Sequence, residues 1–108
     1  TMISVGSLDY ELKPIPAQFA LQDNYPNPFN PSTTIRYDIP NDAFINIVLY
    51  DITGREIARP ISKQQSAGYH STVWNGTNQK GETQAAGIYF YQIQTKDFIK
   101  TKKMLFLK

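Results

Sequence analysis

The sequence predicts an all-β fold, an antiparallel β-sandwich of about seven short strands. Three observations carry this. Apolar and polar residues alternate at period two in segment after segment, helical periodicity is almost absent, and clusters of Gly, Pro, Asn and Asp interrupt the chain at intervals of roughly ten residues.

Taken in chain order, residues 1–16 show no regular period, and Pro14 and Pro16 mark them as an extended linker. The folded domain is expected over residues 17–108. The stretch Asn24 to Pro31 then places Pro26, Pro28 and Pro31 among asparagines and two aromatics. Proline fixes φ and has no amide donor, so this segment is expected to be extended and outside any sheet ladder. Tyr25 and Phe29 are expected to pack as two anchors on the sandwich, with the asparagines bonding local backbone.

Thr34 to Ile39 sends Ile35, Tyr37 and Ile39 to one face and Thr34, Arg36 and Asp38 to the other, and Pro40 stops the strand. Phe44 to Asp51 puts Ile45, Ile47 and Leu49 on one face and Phe44, Val48 and Tyr50 on the opposite one. Apolar residues on both faces predict a central strand partly covered on its second side. Asp51-Ile52-Thr53-Gly54 reads as a turn, with Gly54 at the positive φ. Arg55 to Arg59 is a short strand centred on Ile57, and Ser62 to Gly68 is polar and small, a loop. Tyr69 to Trp74 alternates again, with His70, Thr72 and Trp74 on one face. Asn75 to Gly81 is a turn cluster of the hairpin kind. Gly87 to Gln94 and Thr101 to Leu107 complete the strands. The spacing is that of an immunoglobulin-like sandwich, with Trp74 as core anchor where antibody domains have a disulfide.

A chain of 108 residues is one domain, long enough for a core without covalent staples. With no cysteine, disulfides, thiolate zinc sites and cysteine nucleophiles are excluded. No apolar run approaches the roughly 18 residues of a membrane span, so membrane insertion is not expected. The start, TMISVGSLDYELKP, lacks the basic and apolar regions of a signal peptide. Thr1 reads as an excision boundary on a longer parent and Lys108 as a natural end. The net charge is +2, yet the last thirteen residues hold five lysines against Asp97, so the basic character belongs to the tail.

The residues offer little for catalysis. The single histidine, His70, shares a face with Trp74 and reads as a core or subsurface side chain with a backbone partner, not a catalytic base. The carboxylates are scattered, and there is no phosphate-binding glycine motif. No enzyme activity and no cofactor are expected. The Asn75–Glu82 loop offers oxygens of the type calcium takes but lacks the acidic spacing of a calcium loop, so it reads as a plain turn and no metal is expected. Asn75-Gly76-Thr77 fits a glycosylation pattern short enough to arise by chance. Tyr89, Phe90 and Tyr91 are strand neighbours that split between two faces, which argues against a stacking platform for nucleic acid. The same aromatics fill a core or stack on sugars. The tail lysines guard an edge strand or present it to a receptor, and composition leaves both open.

The blocks NYPNPFNPSTTIRYDIP, INIVLYDITGREIA, GYHSTVWNGTNQKGE, AAGIYFYQI and KTKKMLFLK, in this order, resemble one family. It is the type A C-terminal sorting domain of the type IX secretion system, with its relative, the immunoglobulin-like domain of the flagellar hook-capping protein. The resemblance covers residues 17–108 and departs from the family pattern at two positions. Asn75 stands where the family writes W-D-G, and Ala86 where it writes S-G-x-Y.

The resemblance implies a non-catalytic address on a larger exported protein, which transits the periplasm and ends at the cell surface or outside. It implies as partners the outer-membrane translocon, a sortase-like protease and the upstream cargo of the same chain, with cleavage within or before residues 1–16. By position, the signal elements fall on Pro26, Asn27 and Pro28, on Gly87 and Tyr89, and on the basic last strand with Lys100, Lys102, Lys103 and Lys108. That strand is expected at an accessible edge, where a partner adds a strand or grips side chains. A structural module of the hook-capping type without a sorting role, and a carbohydrate-binding accessory domain of a secreted enzyme, are the alternatives.

Overall fold

A computed structural model describes residues 15–108. The expected linker and cleavage region fall on residues 1–14 and lie outside the described residues, apart from Ile15, which is exposed, and Pro16, which is buried. The strands are β1 (Ala20–Leu21), β2 (Thr33–Ile39), β3 (Ala43–Tyr50), β4 (Glu56–Gln65), β5 (Gly68–Trp74), β6 (Gly87–Gln94) and β7 (Ile99–Phe106). The described residues contain no helix. Two antiparallel sheets form, one in the order β1-β2-β5 and the other β4-β3-β6-β7. The fold is the all-β, immunoglobulin-like sandwich that the alternation predicts.

The alternation sorts the faces. Ile35, Tyr37 and Ile39 of β2 meet Ile45, Ile47 and Leu49 of β3 and Tyr89, Tyr91 and Ile93 of β6 in one buried cluster. β3 is central, and on its second face Val48 is fully buried while Phe44 is exposed, as expected of a partly covered strand. The Asp51 carboxylate accepts the amides of Thr53 and Arg55, and Gly54, at φ +87°, closes the β3–β4 turn. His70 lies on the inner side of β5, its Nε2 2.7 Å from the Ser66 carbonyl and its ring stacked 5.6 Å from Tyr37.

Three expectations are corrected. β4 does not stop at Arg59 but continues to Gln65, so most of the expected Ser62–Gly68 loop is strand. β4 is an edge strand, exposed over most of its later half, and needs no apolar face there, because its backbone pairing with β3 from Ala43–Gln65 to Ile47–Ile61 holds it. Pro60 sits where that register shifts between Ile47 and Leu49, the setting in which an edge strand tolerates a missing amide.

The Asn75–Gly81 cluster does contain a tight local turn, with the Asn78 amide bonded to the Glu82 carbonyl and the Gly81 amide to that of Asn78. It does not join β5 to β6 as a hairpin, since β5 pairs only with β2 and β6 with β3 and β7. The loop crosses between sheets and lays Gln79 on the outer edge of β4, where it accepts the Arg59 amide at 2.8 Å.

The proline block is neither extended nor unpaired. Its chain doubles back, so that Tyr25 and Thr34 exchange both backbone hydrogen bonds, at 3.0 and 2.8 Å. The peptide bonds preceding Pro26, Pro28 and Pro31 are cis. Phe29 is buried as expected, but Tyr25 is 70% exposed. The reason is the pairing: Tyr25 lies opposite Thr34 and Thr34 opposite Val73, a row that points to the outer face of the three-stranded sheet.

Candidate functional site

Proline removes the amides of residues 26, 28 and 31, and of the donors that remain, Phe29 pairs with the last strand. The Phe29 amide donates to the Leu105 carbonyl and the Leu107 amide to the Phe29 carbonyl, each at 3.0 Å. Just before them along the strand, the Asn27 side-chain oxygen accepts the Leu105 amide at 3.0 Å. The block thus runs parallel to β7 and takes the place of a neighbouring strand along its last residues.

The block is itself held from below. Asn24 is buried, and its Nδ2 donates to Thr33 Oγ1 and to the Pro26 carbonyl, which also accepts the Thr33 hydroxyl at 2.8 Å. The Tyr91 hydroxyl, fully buried, accepts the Asn24 amide at 2.9 Å and donates to the Gln22 carbonyl at 2.7 Å. Burial pushes the Tyr91 phenol up to about 12.

Under the block lies an aromatic cluster drawn from distant parts of the chain. Phe29 stacks on Phe106 with centroids 4.9 Å apart, and Trp74 contacts Phe29 at 5.6 Å and the Tyr89 ring edge-on at 5.2 Å. Trp74 also donates its indole N–H to the Thr77 carbonyl at 2.7 Å, which fixes the start of the crossing loop. The proline block, the Trp74–Thr77 turn, the Gly87–Tyr89 step and the terminal strand therefore meet at one place.

Above this cluster, on the outer surface, is a groove of about 370 Å³ lined by Asn27, Pro28, Ile88, Lys103, Met104 and Leu105. Its walls are largely apolar, with the Lys103 cation on one side. The structure brings Asn27, Pro28 and Lys103 together there. Pro26 is exposed and serves through its carbonyl as the acceptor that closes the loop. Gly87 opens β6 opposite Phe106 at φ +146°.

The remaining sequence-named residues lie elsewhere. Tyr89 is buried in the aromatic cluster with its hydroxyl donating to the Ala85 carbonyl, so it faces away from the groove. Tyr91 is also in the core, and neither offers a face for a sugar. Lys102 pairs with Asp23 at 2.9 Å across the flank of the sandwich, and this cation and hydrogen bond hold the Asp23 carboxyl below its usual range. Lys100 and Lys108 are exposed toward the two ends of β7, eight residues apart and so separated by about 26 Å along a strand. Ile88 enters the sequence reading only as the middle of the Gly87–Tyr89 step, and Leu105 only as part of the last strand. The signal was present, since alternation places Ile88 opposite in face to Tyr89, and Leu105 opposite to Phe106. Among the described residues no group of three or more His, Cys, Asp or Glu is placed to hold a metal ion. In the Asn75–Glu82 loop the Asn78 side-chain oxygen is taken by the amides of Lys80 and Glu82.

Comparison with known proteins identifies one family, and solved structures resemble the chain in fold. The crystal structure of FlgD from P. aeruginosa superimposes with a TM-score of 0.55 at 25% identity, covering 68% of this chain and 58% of that one. PorZ, described as an essential bacterial surface component of the type IX secretion system of Porphyromonas gingivalis, matches in fold with a TM-score of 0.54 at 20% identity, covering 83% of this chain. The chain spans little more than half the length of the FlgD chain and 11% of PorZ. No curated protein matches it. Residues 30–97, more than half of the chain, match the FlgD Ig-like domain, and the chain belongs to that family.

Proposed function

We propose that the domain is a non-catalytic address that directs a larger exported protein through the outer membrane by the type IX secretion system, for surface attachment or release. The observation that carries this reading is the union of Asn27, Pro28 and Lys103 around one groove. Two sequence-distant signal elements form a single surface, which is what a receptor reading a folded address requires. The fold likeness to PorZ, a component of that system, supports the same direction. The translocon is the partner that would read the groove, and the cargo is the upstream part of the parent chain.

The test is a periplasm-directed reporter fused to residues 17–108 in a type IX-competent bacterium. Surface or medium delivery of the fusion is expected. Deleting Lys100–Lys108 is a poor control, because it also removes Met104 and Phe106 from the core. The double variant Pro28→Ser with Lys103→Glu changes the groove while leaving the core in place, and it is expected to retain the reporter in the periplasm. Undiminished delivery of that folded variant would sink the role of the groove.

A second reading is a structural module that assembles with other domains without sorting. The family match to the FlgD Ig-like domain favours it. Under this reading the fusion stays in the periplasm whether or not the groove is intact.

A further inference from the structure

The four-stranded sheet ends at β7, and the outer edge of that strand is divided in two. Along its last residues the edge is occupied by Asn27 and Phe29, which bond the amide and carbonyl of Leu105 and the amide of Leu107. Alternate residues of an antiparallel strand point their backbone groups to the same side. The β6–β7 register runs without a shift from Gly87–Phe106 to Gln94–Ile99. The N–H and C=O groups of Ile99, Thr101 and Lys103 therefore face the same outer edge as those of Leu105. Among the described residues no hydrogen bond reaches them there. Ile99, Lys100, Thr101 and Lys103 are all exposed.

Charge marks this half as well. Lys102 is engaged by Asp23, whereas Lys100 and Lys103 make no ion pair among the described residues. They stand on opposite faces of the strand, so the open edge carries a cation on each side. A second copy offering its own β7 would bring lysines against lysines, and like charges across strands repel. A strand with carboxylates meets no such barrier.

We propose that the Ile99–Lys103 edge is a docking site for an extended, acidic segment of another protein, which joins the sheet as a further strand beside β7. Its backbone pairs with Ile99, Thr101 and Lys103, and its carboxylates lie against Lys100 on one face and Lys103 on the other. Where it reaches Lys103 it meets the groove walled by Pro28 and Ile88, which takes an apolar side chain. The chain already shows that this edge accepts an added segment, because Asn27–Phe29 is one. The proposal names the partner chemistry for the address argued above and rests on that reading.

The experiment is residue-resolved amide exchange by NMR on the full chain, with three blocked heptapeptides as probes. One repeats Glu-Glu-Val-Val and so carries carboxylates on both faces of a strand, one has lysine in place of each glutamate, and one is the acidic peptide with a central proline. The acidic peptide is expected to slow exchange at Thr101 and Lys103 at least tenfold and to leave Lys102 and Met104, already paired to β6, unchanged. The other two peptides are expected to do nothing. Thr101→Pro removes one outward donor at an edge position and abolishes the effect. Lys100→Glu with Lys103→Glu transfers the effect to the lysine peptide. Thermal unfolding of each variant shows that it is folded. No slowing in the folded wild type, equal slowing by acidic and basic peptides, or slowing traced by sedimentation to self-association overturns the proposal. The exchange assay needs no secretion machinery, so its failure removes strand addition alone, whereas an undelivered reporter removes the sorting reading.

Discussion

The Asn27 side-chain oxygen accepts the backbone amide of Leu105 at 3.0 Å, so a side chain does at the edge of β7 what a neighbouring strand would otherwise do. Asn27→Ala leaves that amide to solvent. A loss of about 1 kcal/mol is expected, the usual net value of one such bond. Faster exchange of the Leu105 amide, with the Phe106 amide unchanged, is the specific readout. Asn27→Asp keeps the acceptor and should keep the protection.

Phe29 and Tyr25 look equivalent in the sequence and are opposite in the structure, at 1% and 70% exposure. Phe29→Ala empties the stack between Phe106 and Trp74, and should cost about 3–5 kcal/mol. Tyr25→Ala keeps both backbone bonds to Thr34 and should stay within about 0.5 kcal/mol of wild type. Urea unfolding of the two variants measures the difference directly. Equal costs would mean that the aromatic cluster does not hold the proline block in place.

This pair also shows where sequence reasoning ends. Alternation identifies the inner faces of β2, β3, β5 and β6 because burial on one side leaves a period-two trace in the residues themselves. It cannot place Tyr25, whose exposure follows from pairing with Thr34, a contact between backbones that leaves no trace in side-chain type. β4 beyond Pro60 was unreadable for the same reason: its Ser62–Gln65 run is mostly exposed and held through the backbone of β3. The Asn75–Gly81 cluster was legible as a turn but not as a sheet crossing, since the local chemistry of the two is shared. Of the groove, Asn27, Pro28 and Lys103 were named through a family resemblance. Ile88 and Leu105 were in reach of the alternation alone.

Gly76 and Gly54 separate crowding from backbone strain. Both have positive φ, +77° and +87°, which costs a substituted alanine about 1–2 kcal/mol. At Gly54 an added Cβ meets nothing within 4 Å, whereas at Gly76 it would lie 2.6 Å from the Phe106 ring. Gly54→Ala should therefore show the strain alone. Gly76→Ala adds the displacement of a packed ring, about 1–3 kcal/mol more, and should also disturb the Phe29–Phe106 stack. Chemical denaturation gives the two costs, and aromatic NMR shifts of Phe106 report the second effect only in Gly76→Ala.

Stability should fall in alkali, and Tyr91 predicts where. Its phenol titrates near 10 when unfolded and is pushed up to about 12 by burial in the fold. Below pH 10 both states hold the proton and the fold keeps its full stability. Between 10 and 12 the unfolded chain releases a proton that the folded chain retains, so stability declines as pH rises through that window. Two units correspond to about 2–3 kcal/mol. Tyr37 and Tyr89 are raised in the same direction by burial and steepen the fall. Tyr91→Phe removes this contribution, but at neutral pH it leaves the Gln22 carbonyl and the buried Asn24 amide without their partner, at a cost of about 2 kcal/mol. The variant should therefore be less stable at pH 7 and lose less on going to pH 12. Thermal melts across that range test both effects: parallel curves for the two proteins would show that Tyr91 is not the source of the alkaline loss, and equal stability at pH 7 would show that its hydroxyl does not anchor the proline block to β6.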